Sequence, residues 1–160
     1  MSSRDAAELR HLEEGFRRFG EALVELGSAV GQCMGEVRVM LEEDEPEPPD
    51  LEGEREAVET RHGRLVELRG ELVGLKVRCE MALIGLSGNG EDWALLSERF
   101  TPAGRPVWRR WNQIVEAFKV EVTTIWQPLV ENLDRAIEIL NDEVVSLRTR
   151  LLKLEEVSDE

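Results

Sequence analysis

Both histidines of the chain stand in the same short pattern, Glu8-Leu-Arg-His11 and Glu59-Thr-Arg-His62. A Glu and a His three residues apart on a helix share a face. Paired Glu-x-x-His motifs on neighbouring helices, with two further inward glutamates, hold dinuclear metal centres in helical bundles. Those further glutamates are not evident here. In a hairpin that turns near residue 48, residue 59 lies opposite about residue 37, which leaves the two motifs tens of ångströms apart. Each motif also flanks the apolar stripe of its helix instead of joining it. They read as solvated surface, and no metal, cofactor or small-molecule substrate is expected.

Nucleophilic chemistry is no better supplied. No Ser or Cys sits in a strand-to-helix elbow, and no glycine-rich loop opens a helix in a βαβ unit. Cys33 and Cys79 fall on apolar helical positions and read as buried free thiols in a reducing compartment. Ser87-Gly-Asn-Gly90 reads as a helix–helix turn. Arg105-Pro-Val-Trp-Arg-Arg-Trp111 is a basic, aromatic patch. Arg105, Trp108, Arg109, Arg110 and Trp111 are a secondary docking candidate for an acidic partner. The competing reading puts both tryptophans in the core and the arginines outside. Gly27, Gly31 and Gly35, and again Gly70 and Gly74, recur every four residues. Such ridges let helix backbones approach closely, at a cost of about 1 kcal/mol each against Ala. Close approach within the bundle is the favoured explanation, with a partner helix as the alternative.

The elements that carry these residues follow from periodicity. Leu9, Leu12, Phe16, Phe19, Leu23, Leu26, Val30, Cys33, Val37 and Met40 alternate spacings of three and four, a heptad signal. This predicts a first helix over about 5–44, with Ser2 three residues before Asp5 as a capping box. The acidic loop at 45–50, with Pro46, Pro48 and Pro49, ends it. A second helix is expected over about 51–86, capped by Asp50, with Val58, Leu65, Leu68, Leu72, Leu75, Cys79, Ala82 and Leu86 on its stripe. Ser87–Gly90 closes it, and a short helix over about 91–100 carries Trp93, Leu96 and Phe100 on one face. The last helix, about 106–156, reads Trp108, Trp111, Val115, Phe118, Val122, Ile125 and Leu129. It continues through Leu133, Ala136, Leu140, Val144, Leu147, Leu151 and Leu154. The join is a one-residue slip beside Pro128, so an irregularity is expected around Thr124–Pro128.

The fold class is therefore all-α, a single domain over 1–160. It is an antiparallel bundle of three long coiled-coil-like helices plus one short helix. By helix rise, the last helix should overhang the first hairpin by ~15 Å. That would leave Leu140, Val144, Leu147, Leu151 and Leu154 as an apolar stripe open to a partner.

Charge narrows the partner class. The net charge is −14, yet residues 42–59 carry ten acids and one base and residues 155–160 carry four acids, so the remainder is −1. Nucleic-acid binding needs a basic surface, and an anionic membrane is disfavoured for the same reason. No apolar run reaches transmembrane length, and the first residues lack a secretion-signal pattern. A cytoplasmic protein is expected. The reading that follows is a non-enzymatic interaction or scaffold module that self-associates or binds a partner helix through its long C-terminal helix. The alternative is an acidic chaperone or antagonist that masks a basic partner through residues 42–59.

Overall fold

The computed structural model describes the backbone of residues 2–43, 47–48, 50–96 and 100–158, and the side chains of these except 86–96 and 158. Among the described residues the chain forms three α-helices and no strand: α1 (Ser3–Glu42), α2 (Leu51–Leu96) and α3 (Arg105–Ser158).

Each helix start has a chemical cause. The first N–H groups of a helix lack intrahelical partners, and a short polar side chain just upstream can accept from them. At α1 the Asp5 N–H donates to Ser2 Oγ (3.2 Å) and the Ser2 N–H donates back to Asp5 Oδ2 (3.4 Å). This is a reciprocal capping box with Asp in the place of Glu. At α2 the Gly53 N–H donates to Asp50 Oδ1 (2.6 Å). Before α3 the chain turns through Thr101–Gly104, with the Gly104 and Arg105 N–H groups donating to the Thr101 carbonyl (2.9 and 3.1 Å). Pro106 follows in the first turn of α3, where its missing N–H costs no intrahelical bond.

The expected short helix over 91–100 is not a separate element. α2 runs unbroken through Ser87-Gly-Asn-Gly90 to Leu96, and no described glycine has a positive φ. Two glycines and an asparagine weaken a helix by roughly 0.5–1 kcal/mol each. Continuing the helix keeps its hydrogen-bond ladder and also its heptad phase, since positions 86 and 93 extend the series 58, 65, 72, 79. Of the face expected for the short helix, the side chains of Trp93 and Leu96 lie outside the described residues, and Phe100 is buried. α3 likewise remains helical through Pro128.

The three helices pass through two compact units. Unit 1 comprises Met1–Gly27 and Val77–Val130, and unit 2 comprises Ser28–Lys76 and Glu131–Glu160. In unit 1, α1 and α3 run parallel: Asp5 meets Thr101, and Phe16 packs edge-on against Trp111 and Phe118, with ring centroids at 6.4 and 4.8 Å. Leu23, Leu26, Cys79, Phe100, Trp108, Val115, Val122 and Trp126 are buried there. One core assignment changes. Ile125 is 67% exposed and Trp126 is buried. Trp126 stands four residues after Val122 and seven before Leu133, so the slip in the stripe falls between Phe118 and Trp126.

In unit 2, α2 runs antiparallel to both neighbours. Arg64 pairs with Glu36 of α1 (3.1 Å), and Arg150 of α3 pairs with Glu54 (3.3 Å). Arg61 lies 3.9 Å from Glu143, and Lys76 pairs with Asp134. Val30, Cys33, Val37, Val58, Leu65, Leu68, Leu72, Leu133, Ala136, Leu140, Val144 and Leu147 fill the interior. Near the end of α3, Glu155 lies 3.8 Å from Arg55, beside the start of α2. The expected overhang of the last turns is therefore absent within this unit. A difference in helix length does not by itself place the excess at the C-terminal end: Glu54 and Arg55, in the first turns of α2, already lie beside Arg150 and Glu155.

Candidate interaction surfaces

The placement of the expected site residues follows from this packing. Leu140, Val144 and Leu147 are at most 1% exposed and form part of the interior of unit 2, while Leu151 and Leu154 are half-buried. The C-terminal stripe is thus mostly covered by the chain's own α1 and α2 segments. In the basic patch, Trp108 is buried, Trp111 is half-buried against Phe16, and Arg105, Arg109 and Arg110 are exposed. The patch divides as an amphipathic helix end would, with rings inward and guanidinium groups outward.

The Glu-x-x-His motifs fall in different units, Glu8 and His11 in unit 1 and Glu59 and His62 in unit 2. Among the described residues no group of three or more His, Cys, Asp or Glu is arranged to hold a metal ion. No helix among them is long and apolar enough to cross a membrane.

Both cysteines are buried free thiols. Burial pushes the Cys33 thiol up to about 11, and the Glu71 carboxylate, which accepts its S–H at 3.7 Å, adds to the effect. Burial also raises Cys79. A rise to about 11 leaves roughly 100-fold less thiolate at neutral pH than an ordinary thiol holds. Both cysteines should therefore resist a thiol-specific reagent such as DTNB in the native protein and react at once in denaturant. Rapid labelling of native protein would contradict their placement.

A cluster that sequence reasoning saw only in part lies at the start of α1. Asp5 is fully buried, and its carboxylate accepts from the Thr101 N–H (2.8 Å) and from the Thr101 hydroxyl as well as from Ser2. These bonds, the Thr101 hydroxyl first, hold its pKa down to about 2. The Gly104 N–H donates to Thr101 Oγ1 (3.3 Å), and a Cβ on Gly104 would stand 2.5 Å from the Asp5 carboxyl. Gly104 is therefore required by the close approach of Asp5. The cluster is structural: it joins the α1 cap to the turn before α3.

An uncharged surface runs along the described part of α2. Its inward side carries Leu65, Leu68, Leu72 and Cys79, all fully buried. Positions 63, 66, 70, 73, 77, 81 and 84 recur at helical spacing on the opposite side, and every one is Gly, Val, Met or Ile. In unit 2 this side presents exposed Gly63 and Gly70, half-buried Val66 and Val73 at 43% exposure. In unit 1 it presents Val77, Met81 and Ile84, at 47, 66 and 68% exposure. An ordinary solvated helix face alternates charges, so α2 is apolar on two sides where α1 and α3 are apolar on one.

The glycines sharpen this contrast. A Cβ built on Gly27, Gly31, Gly35, Gly70 or Gly74 meets nothing within 4 Å. Close helix approach within the chain therefore does not account for these ridges, contrary to the favoured explanation. No protein-family model, curated protein or solved structure matches the chain.

Proposed function

We propose that the protein is a non-enzymatic interaction module that associates with a second copy of itself through the outward side of α2. The observation that carries this reading is the uncharged outward side of α2 within each unit, Gly63, Val66, Gly70 and Val73 in unit 2 and Val77, Met81 and Ile84 in unit 1. Exposed apolar surface marks association sites, because water contact with it is unfavourable by about 25 cal/mol per Å². A two-fold pairing that set the projecting valines against the open positions at Gly63 and Gly70 would give a self-complementary fit. Leu151 and Leu154 at the end of α3 are the part of the C-terminal stripe left to contribute. Masking of a basic partner by residues 42–59 is the weaker reading, since Glu54 and Glu59 already face Arg150 and Arg55 (3.3 and 3.2 Å).

The test is solution mass by light scattering over a wide concentration range, for wild type and for Val73→Glu/Met81→Glu. The expected result is a concentration-dependent dimer that the double variant loses while its helical circular dichroism is retained. Gly70→Ala separates the glycine roles. It should raise monomer stability by about 0.5–1 kcal/mol through helix propensity and still weaken association. A wild type that stays monomeric throughout, or a dimer indifferent to both changes, would refute the reading.

A further inference from the structure

A second surface, independent of α2, lies in unit 1 between α1 and α3. There Gly20 and Val24 of α1 and Phe118, Val122 and Trp126 of α3 line an open groove of about 810 Å³. Its origin is local. Gly20 supplies no side chain beside the ring of Phe118, and a Cβ there meets nothing within 4 Å. Val24 is left 74% exposed on the groove wall, although Trp126 beneath is buried. The rim carries Glu21 and Glu25, one helical turn apart, and among the described residues no basic side chain lines the groove.

We infer that this groove is a docking site for a basic amphipathic helix of a partner protein. The apolar side of such a helix would fill the space beside Gly20 and cover Val24 and Trp126. Lysines or arginines spaced four apart on its border would meet Glu21 and Glu25. Glu21 already accepts from Arg17 at 3.3 Å, but both partners are 62% exposed and lie on one helix. Exposed pairs of this kind contribute little and exchange readily. Most of the chain's net charge of −14 lies in residues 42–59 and 155–160, so that general charge draws a basic partner to the molecule without directing it to the groove, where Glu21 and Glu25 supply the local charge. The groove, not that general charge, sets which basic sequences bind, because only an amphipathic pattern matches an apolar floor with an acidic rim.

The probe is a fluorescein-labelled helical peptide of leucine and lysine in amphipathic spacing, measured by anisotropy against full-length protein. The control is a peptide of the same composition with the pattern scrambled. The amphipathic peptide should bind at least 10-fold more tightly than the scrambled one, and more weakly as salt rises. Gly20→Leu should fill the groove and lower affinity at least 10-fold. Gly20 is half-buried, but a Cβ there meets nothing within 4 Å, so the substitution should leave the circular dichroism unchanged. Glu21→Gln/Glu25→Gln should lower affinity several-fold and flatten the salt dependence. Equal binding of both peptides, or binding unchanged by either variant, would mean attraction to acidic surface elsewhere, such as residues 42–59, and would overturn the inference. Absence of binding by the amphipathic peptide at low salt would overturn it as well. Solution mass plays no part in this assay, so its outcome is distinct from that of self-association through α2.

Discussion

Replacing Leu140 with alanine is expected to destabilise the protein by about 2–5 kcal/mol, the cost of removing a buried leucine and leaving a cavity. For a chain of this size each kcal/mol lowers the melting temperature by roughly 2–4 °C. The expectation rests on Leu140 being fully buried in unit 2, alongside Leu65, Leu68, Leu72 and Leu133. Leu147→Asp should do more, because it buries a carboxylate at a position that is 1% exposed in the apolar interior of unit 2. Such a group costs several kcal/mol, a large part of the ~5–15 kcal/mol that holds most domains folded. These two changes discriminate sharply between interior and surface. A free stripe would tolerate Leu147→Asp with its helicity and melting temperature intact while losing a partner. An interior position loses cooperative unfolding first. Melting curves that overlay the wild type would return Leu140 and Leu147 to the surface.

The second large effect is expected at the α1 cap. Gly104→Ala brings a methyl group to 2.5 Å from the Asp5 carboxyl, which Thr101 holds on both its N–H and its hydroxyl. Either the carboxylate moves and surrenders those bonds, or the turn before α3 shifts. Overpacking of this kind costs about 1–3 kcal/mol. Asp5→Asn tests the same cluster through pH. The folded pKa of Asp5 lies near 2, below the ordinary 3.8. Its contribution to stability is therefore complete above about 3.8 and is lost as pH falls through about 2. The stability difference between wild type and Asp5→Asn should be constant at neutral pH and shrink between those two values. A difference that does not change over that window would show that Asp5 titrates normally. If Gly104→Ala melts with the wild type, the close approach is not enforced.

Much of this arrangement was legible in the chain itself. The heptads placed Leu23, Val30, Cys33 and Val37 of α1 and Val58, Leu65, Leu72 and Cys79 of α2 in the interior, where they lie. Ser2, Asp5 and Asp50 announced the helix starts. What failed did so for identifiable reasons. Ser87–Gly90 was read through residue preference, which is a weak prior beside an unbroken ladder and a preserved heptad phase. Ile125 and Trp126 both fit a stripe whose spacing changes there, so spacing alone does not choose between them. The partner of Asp5 is 96 residues away, at Thr101, and no local pattern connects them. The outward side of α2 was visible in principle at Val66, Val73, Val77 and Ile84. The stronger leucine series on the same helix masks it, because that series alone suffices to read the helix as amphipathic.

The two-sided character of α2 also bears on how the chain finds its native packing. A helix apolar on opposite sides could be rotated by half a turn about its own axis and still bury hydrocarbon. Its two sides are not equivalent in volume. The inward one is built of leucines, whereas the outward one is hollowed by Gly63 and Gly70, so the rotated arrangement would leave voids in the centre. The polar borders enforce the same choice. Lys76 beside Asp134 and Arg64 beside Glu36 would both lose their partners after rotation. The glycines thus act as a key that admits one rotational setting of α2, and filling them with larger apolar residues would make the wrong setting competitive.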